Sequence, residues 1–259
     1  MWQEMMGRAL KRVGKATGHQ ATIDRGRHLQ YGHLSPEQLM RQHPSAFLRT
    51  YAVQSHIEPP DVVGKAATTQ ASYQLRHDVG TATGFPANMH SIVGNDGVTR
   101  PPNAHLHLVF ASQAPAHQAV HQSAQAGANF SAAFLPMRQA KQDNFAGQLT
   151  NQKVTGWRTG RITETALNHQ HEDLTLTTQL SGCTIAKRRD NMMHLRPVAS
   201  GAAMHASLPP AQTFGRNDYP AQGEQAFVMM KRKPDGHTRL YFQRHDTNTG
   251  TMRSGRKDF

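Results

Sequence analysis

The sequence predicts an α+β fold built around a β-sandwich or a strongly curved sheet. A helix signal stands early, in SPEQLMRQH (35–43), while alternating, β-branched segments crowd the chain after residue 160. Pro234-Asp235-Gly236 then separates two apolar runs, as a hairpin turn does. The 259 residues suffice to bury a full core. The organisation expected is a loosely ordered basic leader over 1–34, followed by a single domain over 35–259.

The leader is assigned on composition: residues 1–34 are polar and rich in Gly, His and Arg. In 35–43, Ser35 is placed to cap a helix, Pro36 fits its first turn, and Glu37 favours the positive end of the helix dipole. AFLRTYAVQ (46–54) suits a second helix or a strand. Residues 58–102 are rich in Gly, Pro, Thr and Asn and read as loops with short strands, with Asn95-Asp96-Gly97 as a turn. HLHLVFAS (105–112) reads as a strand, and PAHQAVHQSAQAG (115–127) as a helix opened by Pro115 and stopped by Gly127. RITETAL (161–167), LTLTTQLSGCTIAKR (174–188), MMHLRPV (192–198), QAFVMMKRK (225–233) and TRLYFQRH (238–245) read as strands.

The formal net charge is +12, which favours acidic partners. The basic residues are dispersed and aromatics make up only 7%, unlike the concentrated, aromatic-laced patch of a specific nucleic-acid reader. The first twenty residues lack the apolar core of a Sec signal peptide, and no apolar run approaches the roughly 20 residues needed to span a bilayer. The single cysteine cannot form an internal disulfide or a thiolate zinc site, so any metal needs His and carboxylate ligands.

That cysteine, Cys183, lies in QLSGCTIAKRRDNMMHL (179–195), with His194 eleven residues on. Side chains alternate along a strand, so Ser181, Cys183 and Ile185 share one face, and Met192, His194 and Arg196 share one face of the returning strand. A two-residue turn at Arg188 and Arg189 sets Cys183 opposite His194. A four-residue turn over 188–191 sets it opposite Arg196, with His194 on the diagonal. In either case the thiol and imidazole are roughly 5–8 Å apart on one face. An imidazolium beside a thiol stabilises the thiolate, a nucleophile for carbonyl carbon, and Lys187, Arg188 and Arg189 would act in the same sense. Spacing alone equally allows a small buried hydrophobe at Cys183.

LSGCT (180–184), a basic hairpin and His194 together resemble the active-site segment of the cytotoxic necrotizing factor family of glutamine deamidases, including the Burkholderia lethal factor type with its LSGC motif and downstream His. The resemblance is strong over 180–198 and looser to Phe259, and it does not reach the first 150 residues. It implies a central β-sandwich of mixed sheets flanked by helices and long loops. It further implies a secreted bacterial effector or toxin, without a Sec signal, acting in the cytosol of a target cell. Its partner would be a protein bearing a surface glutamine, such as a small GTPase or a translation factor. Cys183 would be the nucleophile and His194 the base and acid, with no cofactor and no metal. An upstream oxygen would orient the His; Thr177 is the candidate side chain, and a carbonyl near Val154 the candidate backbone group. Ser181 or backbone N–H groups at Gly182 and Cys183 would hold the oxyanion. No specific nucleic acid, no stable membrane insertion and a monomer complete the expectation.

The alternatives are another Cys-His acyl-transfer enzyme, a transglutaminase or protease, or a non-enzymatic basic module that binds membrane or nucleic acid. Two H-x-H pairs, His169/His171 in NHQHED (168–173) and His105/His107, read as structural or solvated rather than as metal ligands. Substrate selection is expected from loops 80–103 and 199–223, whose composition is that of mobile recognition segments.

Overall fold

A computed structural model describes residues 2–57, 70–78, 91–94, 97–122, 124–135, 164–166, 174–188, 191–195, 206, 208–215, 217–219, 224–233 and 237–259. These form two compact units, Met1–Phe47 and Leu48–Phe259.

The first unit takes in residues 2–34, the segment expected as a loosely ordered leader. It holds helices α1 (Trp2–Thr17), α2 (Gln20–Tyr31) and α3 (Pro36–Gln42), and α4 (Pro44–Thr50) begins within it. Glycines bring α1 and α2 together: a Cβ on Gly7 would lie 2.6 Å from the Gly26 carbonyl oxygen, and one on Gly26 would lie 2.7 Å from the Lys11 nitrogen. Contacts that short forbid any side chain, so the glycines that suggested looseness permit backbone-to-backbone packing. Lys11 Nζ also donates to Gln30 Oε1 at 2.9 Å. The α3 start is as expected at Ser35 and Pro36, and Gln38 closes a reciprocal capping box with Ser35.

The second unit opens with β1 (Ala52–Ser55), so residues 46–54 supply both the end of a helix and a strand. β2 (Gln70–Asp78), β3 (Ser91–Val93), β4 (Thr99–Arg100), β5 (His105–Phe110), α5 (Ala114–Val120) and β6 (Ala124–Leu135) follow. Then come β7 (Glu164–Ala166), β8 (Leu174–Thr177), β9 (Thr184–Arg188), β10 (Asn191–Leu195), β11 (Thr213–Phe214), β12 (Glu224–Arg232), β13 (Thr238–Asp246) and β14 (Thr251–Asp258). Ten strands make a mixed sheet in the order β1-β5-β2-β6-β8-β12-β13-β14-β3-β4. Four make a second sheet in the order β11-β9-β10-β7, antiparallel at each pairing. Of the two sheets, then, only the large one is mixed.

The segment 174–188 is two strands rather than one. β8 belongs to the large sheet, between β6 and β12, whereas β9 belongs to the small one. The chain changes sheet across 178–183, where Leu180 bridges to Ala226 and Gly182 takes φ 85°. Only glycine holds that left-handed conformation without strain. Helix α5 stops at Val120, and residues 124–127 open the twelve-residue strand β6 instead of extending the helix. Among residues expected as loop, Gln70–Asp78 is a nine-residue strand between β5 and β6, with Tyr73 and Leu75 fully buried.

The two sheets share one core. Ile185, Met192 and Phe214 of the small sheet cluster with Leu135, Val228, Met230 and Leu240 of the large one, and Leu180, Cys183 and Tyr219 join them. Gly255 faces Phe242 across the β13–β14 pair, and the ring lies where a Cβ would stand, 2.3 Å from its nearest carbon. Pro234-Asp235-Gly236 lies outside the described residues, but Arg232 pairs with Thr238 on either side of it, in antiparallel register.

Candidate functional site

The β9–β10 register pairs Arg188 with Asn191, Lys187 with Met192 and Ile185 with His194. This is the second of the two registers reached from the turn argument, with His194 opposite Ile185. Cys183 precedes the first residue of β9. It is 4% exposed, His194 is 5% exposed, and Thr177 is fully buried.

Thr177 Oγ1 lies 2.7 Å from the Leu135 carbonyl oxygen and 2.7 Å from His194 Nδ1. A hydroxyl has one proton, and a carbonyl oxygen can only accept, so Thr177 donates to Leu135. Toward the imidazole it must therefore accept, and Nδ1 carries the hydrogen. With the hydrogen on Nδ1, Nε2 is the nitrogen that carries the lone pair whenever the ring is neutral. The site is thus set by strand ends. β6 supplies Leu135, the end of β8 supplies Thr177, and β10 supplies His194.

Tyr219 donates its hydroxyl to the Cys183 carbonyl oxygen. Its ring lies 5.6 Å from Phe214, and Phe214 lies 4.5 Å from Phe242. Nearby, Asp218 Oδ1 receives Lys257 Nζ at 3.1 Å, and its Oδ2 receives the Gly215 N–H at 2.9 Å. Of the segment 199–223, Thr213 and Phe214 are thus paired into the small sheet and Tyr219 into its core, while 199–205, 207, 216 and 220–223 lie outside the described residues. In 80–103, residues 91–93 and 99–100 are strands and 80–90 lie outside the described residues. Ser181 is exposed, at the bend beside Gly182. Lys187 donates to the Phe259 carbonyl oxygen at 3.1 Å. Four residues along a strand put it roughly 13 Å from Cys183, too far to polarise the thiol strongly. Val154 and the His169/His171 pair lie outside the described residues, as do Arg189 and Arg196.

A second constellation was not foreseen. His56, His107, His117 and His121 bring one ring nitrogen each within 4.8 Å of all the others. His107 is on β5, and Gln54 of the parallel neighbour β1 sits opposite it, so the chain leaving β1 delivers His56 beside it. His117 and His121 are one helical turn apart, and the His121 N–H donates to the His117 carbonyl at 2.8 Å. His107 Nδ1 is 2.8 Å from His56 Nε2, and its Nε2 is 3.5 Å from Asp78 Oδ2. Burial is the largest cause that lowers His56 to about 3, His107 to about 4 and His117 to about 3, with the neighbouring imidazoles adding to it. His105/His107 was thus only half relevant as a pair. The available signal was the H-x3-H of His117 on a short helix and His121 at its C-cap, one turn apart.

No family model matches the chain, and neither curated proteins nor solved structures contain a match to it.

Proposed function

We propose that the chain is a bacterial effector-type protein deamidase that converts a glutamine of a target protein to glutamate. The observation that carries the reading is the Leu135–Thr177–His194 hydrogen-bond chain. It orients an imidazole whose Nε2 carries the lone pair whenever the ring is neutral.

In this reading Nε2 of His194 takes the Cys183 proton and the thiolate attacks the glutamine side-chain carbonyl. Backbone N–H groups at the Gly182 bend, or Ser181, hold the oxyanion. The C–N bond then breaks as the imidazolium returns the proton to departing ammonia. Water, deprotonated by His194, hydrolyses the thioester and releases glutamate and the free thiol. Thr177 does not touch the substrate; it positions His194. A protein with a formal charge of +12 meets acidic surfaces fastest, which directs the search for targets toward acidic proteins.

The burial of Cys183 in an apolar cluster favours a second reading, in which the thiol only packs the core and the chain is a basic binding module. The test is intact-mass analysis of acidic candidate proteins, small GTPases and translation factors among them, after incubation with the chain. Deamidation adds about one dalton per glutamine, and Cys183→Ser abolishes the gain. A larger gain in the presence of a primary amine marks a transglutaminase. If the wild-type thiol resists iodoacetamide at neutral pH as fully as a core cysteine does, the packing reading stands.

A further inference from the structure

We propose that His56, His107, His117 and His121 form a closed tetrahedral site for one first-row divalent transition metal of the zinc class.

The six distances between ring centres are 4.7 Å (His56–His107), 5.1 Å (His56–His117), 5.0 Å (His56–His121), 5.0 Å (His107–His117), 4.9 Å (His107–His121) and 4.3 Å (His117–His121). Six nearly equal distances among four points describe a tetrahedron. A zinc–nitrogen bond of about 2.0–2.1 Å puts each imidazole centre about 3.2 Å from the ion, so ring centres in a regular tetrahedral site are about 5.2 Å apart. The four rings stand at that spacing or slightly inside it. A packed apolar core has no reason to gather four imidazoles in this figure.

Unmet polar capacity points to the same ligand. His117 is 8% exposed, yet among the described residues neither of its ring nitrogens has a hydrogen-bond partner, and His121 Nδ1 is likewise buried without one. Buried polar atoms without partners cost stability, and a metal ion supplies one that an imidazole lone pair can bind. His107 turns Nδ1 toward His56 and Nε2 toward the carboxylate of Asp78, whose side chain is fully buried. A carboxylate behind a ligating histidine fixes ring orientation and raises ligand basicity. The nearby cation, Arg76, lies opposite His107 on β2 and is directed elsewhere: its guanidinium donates to Gln74 Oε1 at 2.9 Å and to the Ala124 carbonyl at 2.6 Å. Ala124 N–H in turn donates to the His121 carbonyl at 3.0 Å, so Arg76 anchors the turn that presents His121.

Four imidazoles complete the coordination of a tetrahedral ion and leave no position for water or substrate, so the site is structural rather than catalytic. Imidazole ligands suit Zn(II), Co(II), Ni(II) and Cu(II); the tetrahedral figure selects zinc and its spectroscopic surrogate cobalt. Cys183 and His194 are not among the ligands, and the proposal is independent of the deamidase reading.

The test is titration of the full, tag-free, chelator-treated chain with Co(II). One equivalent is expected to bind with the intense visible bands of tetrahedral cobalt, and one equivalent of Zn(II) displaces it and raises Tm. His117→Ala and His121→Ala each remove the tetrahedral spectrum and the zinc-dependent rise in Tm, whereas His105→Ala keeps both. Circular dichroism of the metal-free variants establishes that they fold. If His117→Ala does not fold, His56→Ala, on the strand side of the cluster, makes the same comparison. Weak octahedral bands, the absence of a tight first equivalent, or a folded ligand variant that keeps the spectrum would each overturn the assignment.

Discussion

Thr177 sits between a carbonyl that can only accept and an imidazole that must then donate, and it is fully buried. Replacing it with Val keeps shape and removes both bonds. The Leu135 oxygen and His194 Nδ1 then lose a partner in a dry site, at about 1–3 kcal/mol of stability. In the proposed deamidation, turnover should fall roughly 100-fold with KM little changed, because the loss is in proton transfer rather than in binding. Thr177→Ser restores the hydroxyl and should recover most of the turnover. A Val variant that turns over like wild type would remove Thr177 from the mechanism. At this scale strand alternation narrowed the hairpin to two registers, and the observed pairing of His194 with Ile185 is one of them. Thr177 carried no motif, since its contact with His194 arises only because the chain changes sheets between them. His56, His107 and His117/His121 come from three separate segments, and beyond the H-x3-H spacing of the last two nothing local announces that they converge.

Elements were legible where a local signal decides them, and obscure where a neighbour does. Ser35, Pro36 and Gln38 build the start of α3 from within the segment itself, and β12 and β13 carry their own alternation. The first four residues of β6, 124–127, read as the end of a helix, but they open a strand because β2 pairs along one side of it and β8 along the other. In the first unit, the role of glycine depends on its neighbours. Glycine usually costs helix stability, yet at positions 7 and 26 it allows two helices to touch through their backbones, and packing outweighs propensity. Gly7→Leu tests this. Its Cβ would lie 2.6 Å from the Gly26 oxygen and 2.8 Å from the Gln30 nitrogen, and neither backbone atom can move aside alone. We expect α1 and α2 to separate, seen as lost amide-exchange protection over 2–31, while protection in β12 and β13 persists. Unchanged protection in α1 and α2 would mean that the close approach does not hold them together.

Across the whole second unit, the far ends of the sequence are tied by one buried side chain. Gln243 on β13 donates through Nε2 to the carbonyls of Leu48 at 2.7 Å and Tyr51 at 2.8 Å, and its Oε1 accepts from the Val53 N–H at 2.9 Å. The same Oε1 lies 3.1 Å from Nε2 of the fully enclosed His245, so the neutral ring donates there. Cross-strand neighbours of His245 are Gln225 on β12 and Met252 on β14, neither of them charged, and burial alone lowers its pKa to about 4. In the unfolded chain the ring titrates near 6.5. Between these values the unfolded state holds a proton that the folded state does not, so stability rises with pH. The contribution is fully present above about pH 6.5 and is lost as pH falls toward 4, at up to about 1.4 kcal/mol per pH unit, about 3 kcal/mol in all. His245→Asn keeps a donor for Gln243 and removes the titration. Denaturant unfolding of both proteins from pH 7 to pH 4 should show the variant losing less stability over that window, with every other titrating group cancelling in the difference. Parallel curves would mean that His245 is charged inside the sheet, and that the strand ends joined through Gln243 tolerate a buried imidazolium.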